Sequence, residues 1–342
     1  MSAAIRSRIS RNDRRMPKRI DIAAARALLL TRDDLRHRGY TERDIERLVR
    51  EGVIHRVRNG RYISADDRAG LWNEGRHLVD VVATHLNSNA PGPVFWGPSA
   101  AVIHGLPLYR LAPQHVHTAI IGARHGRTCA GVVWHNVGVD ASDIVEVEGI
   151  RCTSLDRTVL DLGRSTSAEV ALSAADAALR SEAVSGHAQD ADAASAWVGR
   201  MSDRAERSHG RGIRRARRII DLADGRAQLP GESVSRLQLA RLGFARPLLQ
   251  VHVVGPSGED YWLDFGFRRA RCFGEFDGTG KYFDEALRDG RTAEEVVMAE
   301  KRREDAVRGV TGWRTARWGS SHILSTDDFG RTLAAYGIRP PG

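Results

Sequence analysis

The sequence predicts a multidomain α/β protein, and three features indicate it. The chain has 342 residues, which is long for one domain. Residues 20–66 combine short helical patterns with a basic hairpin pattern, and residues 230–342 combine helices with aromatic strands that carry acids. An α/β middle region (72–165) and a mostly helical, alanine-rich segment (166–229) lie between them. A basic arm over residues 1–19 lacks apolar periodicity and is predicted to be disordered.

The composition favours a polyanionic partner. The formal net charge is +9 and the excess is rich in arginine, which is typical of proteins that bind nucleic acid. Cys129, Cys152 and Cys272 are scattered singly, without the spacing of a disulfide framework or a zinc site, as expected for a cytoplasmic protein. No apolar run is long enough for a membrane helix, so no membrane partner is expected.

Three helices are predicted near the N-terminus. Ile20–Leu30 is apolar and rich in alanine, which favours a first helix. Two variant capping boxes with aspartate at the third helical position follow, Thr31-Arg32-Asp33-Asp34 and Thr41-Glu42-Arg43-Asp44. They start helices that run to Gly39 and through Glu51.

The third helix has two distinct faces and is followed by a hairpin. Its apolar stripe consists of Ile45, Leu48 and Val49, and its other face carries Arg43, Arg47 and Arg50. The dipeptide Asn59-Gly60 lies between β-rich arms, which is the strongest short signal for a hairpin. Two helices joined by a tight turn and followed by a basic hairpin predict a winged helix-turn-helix.

This arrangement suits DNA. A helix fits the major groove, where Arg43, Arg47 and Arg50 would reach base edges or phosphates. The hairpin offers three further arginines to the DNA backbone: Arg56, Arg58 and Arg61. The alternative is a winged helix that contacts protein, with solvated arginines.

A second hairpin, LDFGF-RRAR-CFGEF, is predicted near the C-terminus. A turn centred on Arg269-Ala270 places Asp264 opposite Glu275 and Trp262 opposite Asp277. Because side chains alternate along a strand, these four residues would share one face. The other face would carry Leu263, Phe265, Phe267 and Phe276.

The opposed acids predict a metal site. Directly opposed Cβ atoms lie about 5 Å apart, and two carboxylates at that distance repel each other unless a proton or cation intervenes. Mg²⁺ or Mn²⁺, bound by Asp264 and Glu275, would meet this need. Glu232, near the start of a predicted helix, and Lys281, in a glycine-rich loop, would complete a site suited to phosphodiester hydrolysis, together with Asp277. Alternatively, the acids are solvated or belong to an inactive scaffold, and Lys281 is a solvated loop residue.

Residues 230–320 resemble the Vsr-like branch of the restriction-endonuclease fold. The matching motifs are Asp264, Glu275-Phe276-Asp277-Gly278-Thr279-Gly280-Lys281-Tyr282, Glu300–Asp305 and Gly312-Trp313-Arg314. The resemblance implies a restriction-endonuclease-like α/β core with Asp264 and Glu275 as metal ligands. The general pattern has lysine two residues after the motif glutamate, where this chain has Asp277. Either Lys281 replaces that lysine from the loop or the site is inactive.

The N-terminal half is similar to AbiEi-type antitoxins. The matches are Leu30-Thr31-Arg32, Leu35, Gly39 and Arg56–Tyr62, followed by Ser99–Pro107 and Arg157–Leu162 in the middle region. The resemblance implies a transcriptional regulator that represses its own operon, with a cognate nucleotidyltransferase-like toxin as partner.

The remaining segments contain no motif that indicates a specific chemical activity. His115 and His117 lie on one face of a predicted strand, with His125 and His135 near them, and hydrogen-bonded or solvated histidines are a simpler interpretation than a metal site. Arg157 and Asp161 have the i,i+4 spacing of a structural pair. The arginine-rich end of 166–229 suits either a solvated connecting helix or a contact with the DNA backbone.

The sequence therefore supports two alternative functions. The first is a DNA-binding protein whose C-terminal domain is a Mg²⁺-dependent nuclease, with RNA as an alternative substrate. The second is a non-enzymatic antitoxin or repressor with a degenerate nuclease fold.

Overall fold

The computed structural model describes residues 18–122, 130–278 and 293–340 and shows a mixed α/β protein. The chain divides into two compact units, unit 1 (Met1–Asp161) and unit 2 (Leu162–Gly342). Nearly all of the predicted basic arm lies outside the described residues, as do His125, Cys129 and Lys281.

Unit 1 combines short helices with two sheets. Its described helices are α1 (Ile22–Leu28), α2 (Arg32–His37), α3 (Glu42–Arg50), α4 (Ala65–Ala69), α5 (Asn73–Leu86), α6 (Pro98–Ile103) and α7 (Leu155–Ser165), which runs across the unit boundary. Its described strands are β1 (Leu30–Thr31), β2 (Ile54–Arg58), β3 (Arg61–Ser64), β4 (Val94–Phe95), β5 (Val116–Ala119), β6 (Val132–His135), β7 (Ile144–Val147) and β8 (Ile150–Thr153).

The predicted capping boxes at the starts of α2 and α3 are confirmed. In each box the threonine side chain accepts from the backbone N–H of the aspartate, whose carboxylate in turn accepts from the N–H of the threonine. The apolar stripe of α3 is also confirmed, since Ile45 belongs to a buried cluster against which Leu48 and Val49 pack. Leu35 and Tyr62 of the same cluster join α2 and β3 to it.

The N-terminal sheet has the order β1-β3-β2 and is antiparallel. The predicted turn Asn59-Gly60 joins β2 and β3, and the left-handed conformation of Gly60 (φ +70°) closes it. The register shifts between Arg56 and Arg58, which alters the direction of successive side chains at the end of β2.

The second sheet of unit 1 has the order β6-β5-β4-β8-β7. The predicted pair of Arg157 and Asp161 is confirmed, with 2.8 Å between Nε and Oδ2. Both side chains are buried, Trp96 donates to the same oxygen of Asp161, and Asp143 binds the other end of the guanidinium. The pair is therefore structural, because it ties α7 to Trp96, which follows β4, and to Asp143, which precedes β7.

Unit 2 begins with the helical segment and ends with a mixed sheet. Its described helices after α7 are α8 (Ala168–Ala183), α9 (Ala191–Arg207), α10 (Ile213–Leu222), α11 (Pro230–Arg241), α12 (Ala293–Thr311) and α13 (Thr326–Ala335). Its described strands are β9 (Val184–Ser185), β10 (Ala188–Gln189), β11 (Leu248–Val254), β12 (Asp260–Phe267), β13 (Cys272–Asp277) and β14 (Arg314–Gly319).

The helical segment packs within unit 2. A buried ion pair joins Arg236 of α11 to Asp176 of α8 at 2.5 Å, and Arg241 of α11 binds Glu169 of α8 at 2.6 Å. The segment predicted to connect the two halves of the protein is thus packed against the helix that carries Glu232.

The main sheet of unit 2 has the order β11-β12-β13-β14. The first three strands are antiparallel, and β13 and β14 are parallel. Helix α11 covers one face, where Ser235 accepts from the Trp318 ring N–H and Gly231 meets the Phe276 ring. Helix α12 covers the other face, where Val307 packs with Phe273.

The predicted hairpin register is confirmed over its paired part. Phe265 lies opposite Gly274 and Phe267 opposite Cys272, and a short turn joins the strands at Arg268–Ala270. One prediction about the faces is wrong: Leu263 does not share the face of Phe265 and Phe267. The latter two contact Trp318, whereas Leu263 packs with Phe273 and Val307 on the side of α12.

A left-handed backbone at Gln250, on the neighbouring strand β11, coincides with this exchange of faces. The pairs Leu249–Phe265 and Val251–Leu263 place Gln250 at the point where the alternation of faces breaks. Its φ of +48° is unlike that of any regular strand residue, so the strand turns about its axis there.

Candidate functional site

The arginines of α3 lie at the surface of unit 1. Arg43 and Arg50 are exposed and have no hydrogen bond or ion pair to any described residue. Arg47 is also exposed, but it pairs with Asp44 at 2.7 Å and lies 3.9 Å from Glu51. Arg43 and Arg50 are therefore the cations of this helix that a polyanion could reach without breaking an internal pair.

The three hairpin arginines differ in their contacts. Arg56 is exposed and lies over the ring of Tyr62, 5.9 Å from its centroid. Arg58 donates to the Thr84 hydroxyl at 2.8 Å and to the backbone carbonyls of Ala130 and Gly131. Arg61 likewise donates to Asn87 and to the carbonyl of Leu86. Arg58 and Arg61 thus hold the hairpin against the rest of unit 1. Of the three arginines, only Arg56 lies at the surface without a side-chain hydrogen bond to another described part of the unit.

Glu232 is held inside unit 2 at the start of α11. Its side chain is 1 % exposed, and Oε2 accepts from the backbone N–H of Gln228 at 2.9 Å. The preceding Gly231 lets the helix approach β13 closely, because a Cβ atom at that position would lie 2.1 Å from the Phe276 ring. The packing of this helix end therefore sets the position of Glu232 relative to the sheet.

Asp264 lies where β12 and β13 stop pairing. The last paired residues are Phe265 and Gly274, and beyond them Oδ2 of Asp264 accepts from the backbone N–H of Phe276 at 2.9 Å. The carboxylate thus accepts the hydrogen bond that a backbone carbonyl of β12 would accept if the two strands continued to pair. The residue as a whole is only partly buried.

Glu275 faces α12 and is neutralised by arginines. It is 7 % exposed, forms an ion pair with Arg303 of α12, and lies 3.1 Å from Arg317 of β14. Burial raises the pKa of Glu275 above its ordinary value, against the attraction of these two guanidinium groups. Glu275 and Asp264 thus have different partners, and the expected direct pairing of the two acids does not appear in the described ladder.

Glu300 completes the arginine network on α12. It binds both Arg303 and Arg317. Burial alone would raise the pKa of Glu300, but the hydrogen bonds and charges of the two arginines outweigh it and lower the pKa to about 2. Glu300 is thus partly buried between these two arginines.

Asp277 lies at the end of β13 opposite Gly319 and is partly exposed. Its negative charge is one of the interactions that raise the pKa of Arg317.

Among the described residues no three His, Cys, Asp or Glu side chains are grouped so that they could hold a metal ion. Glu232, Asp264 and Glu275, the described acids predicted to form the metal site, are therefore not grouped as three ligands, although carboxylate oxygens are of the type that Mg²⁺ prefers. Glu275 could join it only by giving up part of its contact with Arg303.

A polar cluster that includes Gln228, the hydrogen-bond partner of Glu232, was missed from the sequence. Gln228, Gln250 and His187 form a polar cluster in which Oε1 of Gln250 lies 3.0 Å from both Nδ1 of His187 and Nε2 of Gln228. His187 also stacks on Trp262, with ring centroids 4.3 Å apart. One signal was present, since a glutamine interrupts the apolar strand pattern LLQVHVV.

Three buried or half-buried histidines of unit 1, His77, His117 and His135, make side-chain hydrogen bonds. Nδ1 of His117 lies 2.9 Å from Nε2 of His135, and Nε2 of His77 lies 2.9 Å from the Ser99 hydroxyl. Burial lowers the pKa of His77 to about 3 and that of His117 to about 4. Both are therefore neutral at physiological pH. For His117 this agrees with the interpretation as a hydrogen-bonded strand histidine, whereas His115 is exposed just before β5 and His77 belongs to α5.

Comparison with known proteins gives relatives without a known activity. No family model matches the chain. The chain is similar to an uncharacterized protein of Mycobacterium tuberculosis, found in strain CDC 1551 / Oshkosh and in strain ATCC 25618 / H37Rv. The identity is 29% over 201 residues, which covers 55% of this chain and 69% of the relative. No helix in the described ranges has both the length and the apolar character needed to cross a membrane.

Proposed function

We propose that this protein binds DNA through the helix pair and hairpin of unit 1 and hydrolyses phosphodiester bonds in unit 2 with the help of Mg²⁺ or Mn²⁺. The observation that carries the second part is the position of Asp264, whose carboxylate lies between two strands at the point where they separate. In this proposal the substrate approaches Asp264 at the place where the two strands stop pairing.

The order of elements in unit 2 supports a nuclease-like core. A helix (α11) is followed by three antiparallel strands, a second helix (α12) and a strand parallel to the third (β14). This order agrees with the core that the resemblance of residues 230–320 to Vsr-like endonucleases implies. It also places Glu232 on the first helix, Asp264 on the second strand and Glu275 on the third.

The charges of unit 1 support the DNA-binding part. Helix α3 follows α2 after a tight turn, and its exposed Arg43 and Arg50 have no internal partner among the described residues. The following hairpin presents Arg56. A winged helix-turn-helix with these cations would place α3 in the major groove and the hairpin along the backbone.

The acids of unit 2 have separate tasks in this proposal. Asp264 and Glu275 would hold the metal ion, which supplies Lewis-acid stabilisation of charge on the phosphoryl oxygens when it is bound. Glu232, which is buried and accepts from the Gln228 N–H, would hold a water molecule. Lys281 would contact the phosphate from the loop that follows β13, and it lies outside the described residues.

A digestion assay tests the proposal. Purified protein is incubated with duplex DNA in Mg²⁺, Mn²⁺ or EDTA, and Asp264→Asn and Glu232→Gln are assayed beside the wild type. Metal-dependent cutting that both variants lose supports the nuclease. Equal cutting by the variants would identify a contaminant and remove the nuclease from consideration. A parallel RNA substrate distinguishes the two polymers.

One observation favours a second function. The contacts of Glu275 with Arg303 and Arg317 already neutralise an acid that a metal would need. A protein with that network intact would be a non-enzymatic regulator of the antitoxin type, whose nuclease-like unit is a scaffold and whose partner is a cognate toxin. Such a regulator would bind its own promoter with an affinity that depends on salt concentration, and it would cleave no nucleic acid with any divalent metal ion.

A further inference from the structure

Four arginines on α10 of unit 2 divide into two pairs with different contacts. Arg215 donates to two backbone carbonyls in the part of α7 that belongs to unit 2, at 2.9 and 2.6 Å, and Arg217 donates to one in α9 at 3.1 Å. Arg214 and Arg218 are exposed, and neither has a hydrogen bond or ion pair to any described residue. The first pair therefore holds the helix in place, and the second pair is left for a partner outside the described chain.

The apolar side of α10 fixes where the second pair points. Ala216, Ile219 and Ile220 are buried, and a Cβ atom on Gly163 of α7 would lie only 3.0 Å from the Cβ atom of Ala216. Side chains four residues apart lie on the same side of a helix. Arg214 and Arg218 therefore share one side of α10, which is the side turned away from this packing.

The described residues of unit 2 supply no counter-charge to Arg214 and Arg218. Like charges four residues apart on a helix repel each other. The single acid of α10, Asp221, pairs with Arg246 at 3.3 Å. Arg211, just before the helix, is also exposed and adds a third positive charge to the same short segment. A bound polyanion would remove this repulsion.

We infer that Arg214 and Arg218 contact phosphates of a DNA duplex, so that unit 2 has a DNA-binding surface of its own. The proposed function assigns DNA binding to the helix pair and hairpin of unit 1 and does not include this surface. Residues 200–218 contain eight arginines, two acids and no lysine. A guanidinium group donates two parallel hydrogen bonds to phosphate oxygens, whereas the ammonium group of lysine acts as a point charge.

The composition around α10 favours a duplex over a single strand. Proteins that bind single strands combine positive charge with aromatic rings on which the bases stack. Residues 198–222 contain no Phe, Tyr or Trp. A surface of arginines alone is suited to the phosphates of a double helix, where the bases are already stacked on each other.

Binding of a labelled DNA duplex in EDTA tests the inference apart from any cleavage. Fluorescence anisotropy of the full-length protein at several salt concentrations gives the slope of log affinity against log salt, which reports the number of phosphates contacted. The α10 variant is Arg214→Gln/Arg218→Gln, in which glutamine favours the helix nearly as well as arginine does. The charge-matched control is Arg331→Gln/Arg339→Gln, which removes two exposed arginines from another part of unit 2.

The α10 variant should lower the magnitude of the slope by about 2, because two phosphate contacts are lost. The loss should be the same for duplexes of unrelated sequence, since phosphate contacts carry no sequence information. The control should keep the slope of the wild type, and thermal unfolding of both variants confirms that the fold is retained. An equal decrease in the control would overturn the inference, because net charge alone would then set the affinity.

Failure of this inference and failure of DNA binding by unit 1 give different results. A wild-type slope in the α10 variant, together with a reduced slope in Arg43→Ala, would remove DNA from α10 and leave it on unit 1. A reduced slope in the α10 variant beside a wild-type slope in Arg43→Ala would support α10 and remove unit 1. A wild-type protein that binds no duplex would remove both surfaces, and a slope that falls only with an RNA duplex would assign α10 to RNA and overturn the inference.

Discussion

Asp264 accepts a hydrogen bond from the backbone N–H of Phe276, one step beyond the last paired residues of β12 and β13. The side chain therefore has two roles that a single substitution can separate: it satisfies a backbone donor, and it carries the charge proposed to bind a metal ion. An unsatisfied buried N–H costs about 1–3 kcal/mol, which is large enough to measure.

Asp264→Asn should remove the cleavage activity and leave the fold nearly unchanged, because the amide oxygen still accepts from Phe276. Asp264→Ala should remove the activity and also lower the free energy of unfolding by about 1–2 kcal/mol, since the N–H loses its acceptor. Urea unfolding and DNA digestion of the two variants check this. Equal stability of the two variants would show that the bond to Phe276 contributes little.

The hairpin register was predictable because turn and pattern agree. The apolar residues Phe265 and Phe267, the polar turn at Arg268–Ala270 and the strand Cys272–Asp277 allow one pairing, and the structure has that pairing. Local signals also sufficed for the caps at Thr31 and Thr41, because a capping box is complete within four residues.

The surroundings of the acids were not predictable in the same way. Arg303 and Arg317 reach Glu275 from a helix and a strand that follow much later in the chain. The left-handed backbone of Gln250 has no signature in the residue type, and neither has the position of Leu263 on the face opposite Phe265 and Phe267. Such features depend on how distant elements pack, which the alternation of residues along one strand does not encode.

Arg303→Met should destabilise the protein by about 2–3 kcal/mol at pH 7, because it deprives the buried carboxylate of Glu275 of its ion pair. The pKa of Glu275 is already raised in the folded state by burial, and loss of Arg303 raises it further. A folded-state pKa above the unfolded value means that protonation favours the fold. The defect should therefore shrink as the pH falls towards 5.

The matched control for this prediction is Arg308→Met. Arg308 pairs with Asp305 on the same helix, but both side chains are more than half exposed to solvent. An exposed ion pair contributes little to the free energy of unfolding. Arg308→Met should therefore change the free energy of unfolding by less than about 1 kcal/mol, and this change should not depend on pH between 5 and 7. Urea unfolding at the two pH values compares the variants, and equal effects of both substitutions would contradict the buried ion pair.

His77 should make unit 1 sensitive to acid. Burial lowers its pKa to about 3 in the folded protein, with smaller contributions from the charges of His117 and Arg58, whereas the unfolded chain titrates near 6.5. The unfolded state therefore takes up the proton first, and stability falls as the pH drops below 6.5. The titration of His77 alone should lower the free energy of unfolding by about 2 kcal/mol between pH 7 and pH 5.

His77→Gln keeps a hydrogen-bonding group near Ser99 and removes the titration. The free energy of unfolding of this variant should fall less steeply with decreasing pH than that of the wild type. Denaturant unfolding at pH 7, 6 and 5 gives the two slopes. Parallel curves for variant and wild type would place the acid sensitivity at another group.

Arg43 and Arg58 should respond to substitution in opposite ways, although both were predicted to contact DNA. Arg43 is exposed without a partner among the described residues, whereas Arg58 makes hydrogen bonds with Thr84, Ala130 and Gly131. Arg43→Ala should weaken DNA binding and lower the slope of log affinity against log salt by about 1, because one phosphate contact is lost. Its free energy of unfolding should change by less than about 0.5 kcal/mol.

Arg58→Ala should instead lower the free energy of unfolding by about 2 kcal/mol, since three hydrogen bonds that hold the hairpin to the rest of unit 1 are lost. Its salt slope should stay close to that of the wild type, because a guanidinium engaged by the protein neutralises no phosphate. Fluorescence anisotropy with a labelled duplex at several salt concentrations, beside urea unfolding, measures both quantities for each variant. A reduced salt slope in Arg58→Ala with unchanged stability would mean that this arginine leaves its internal acceptors for the DNA backbone.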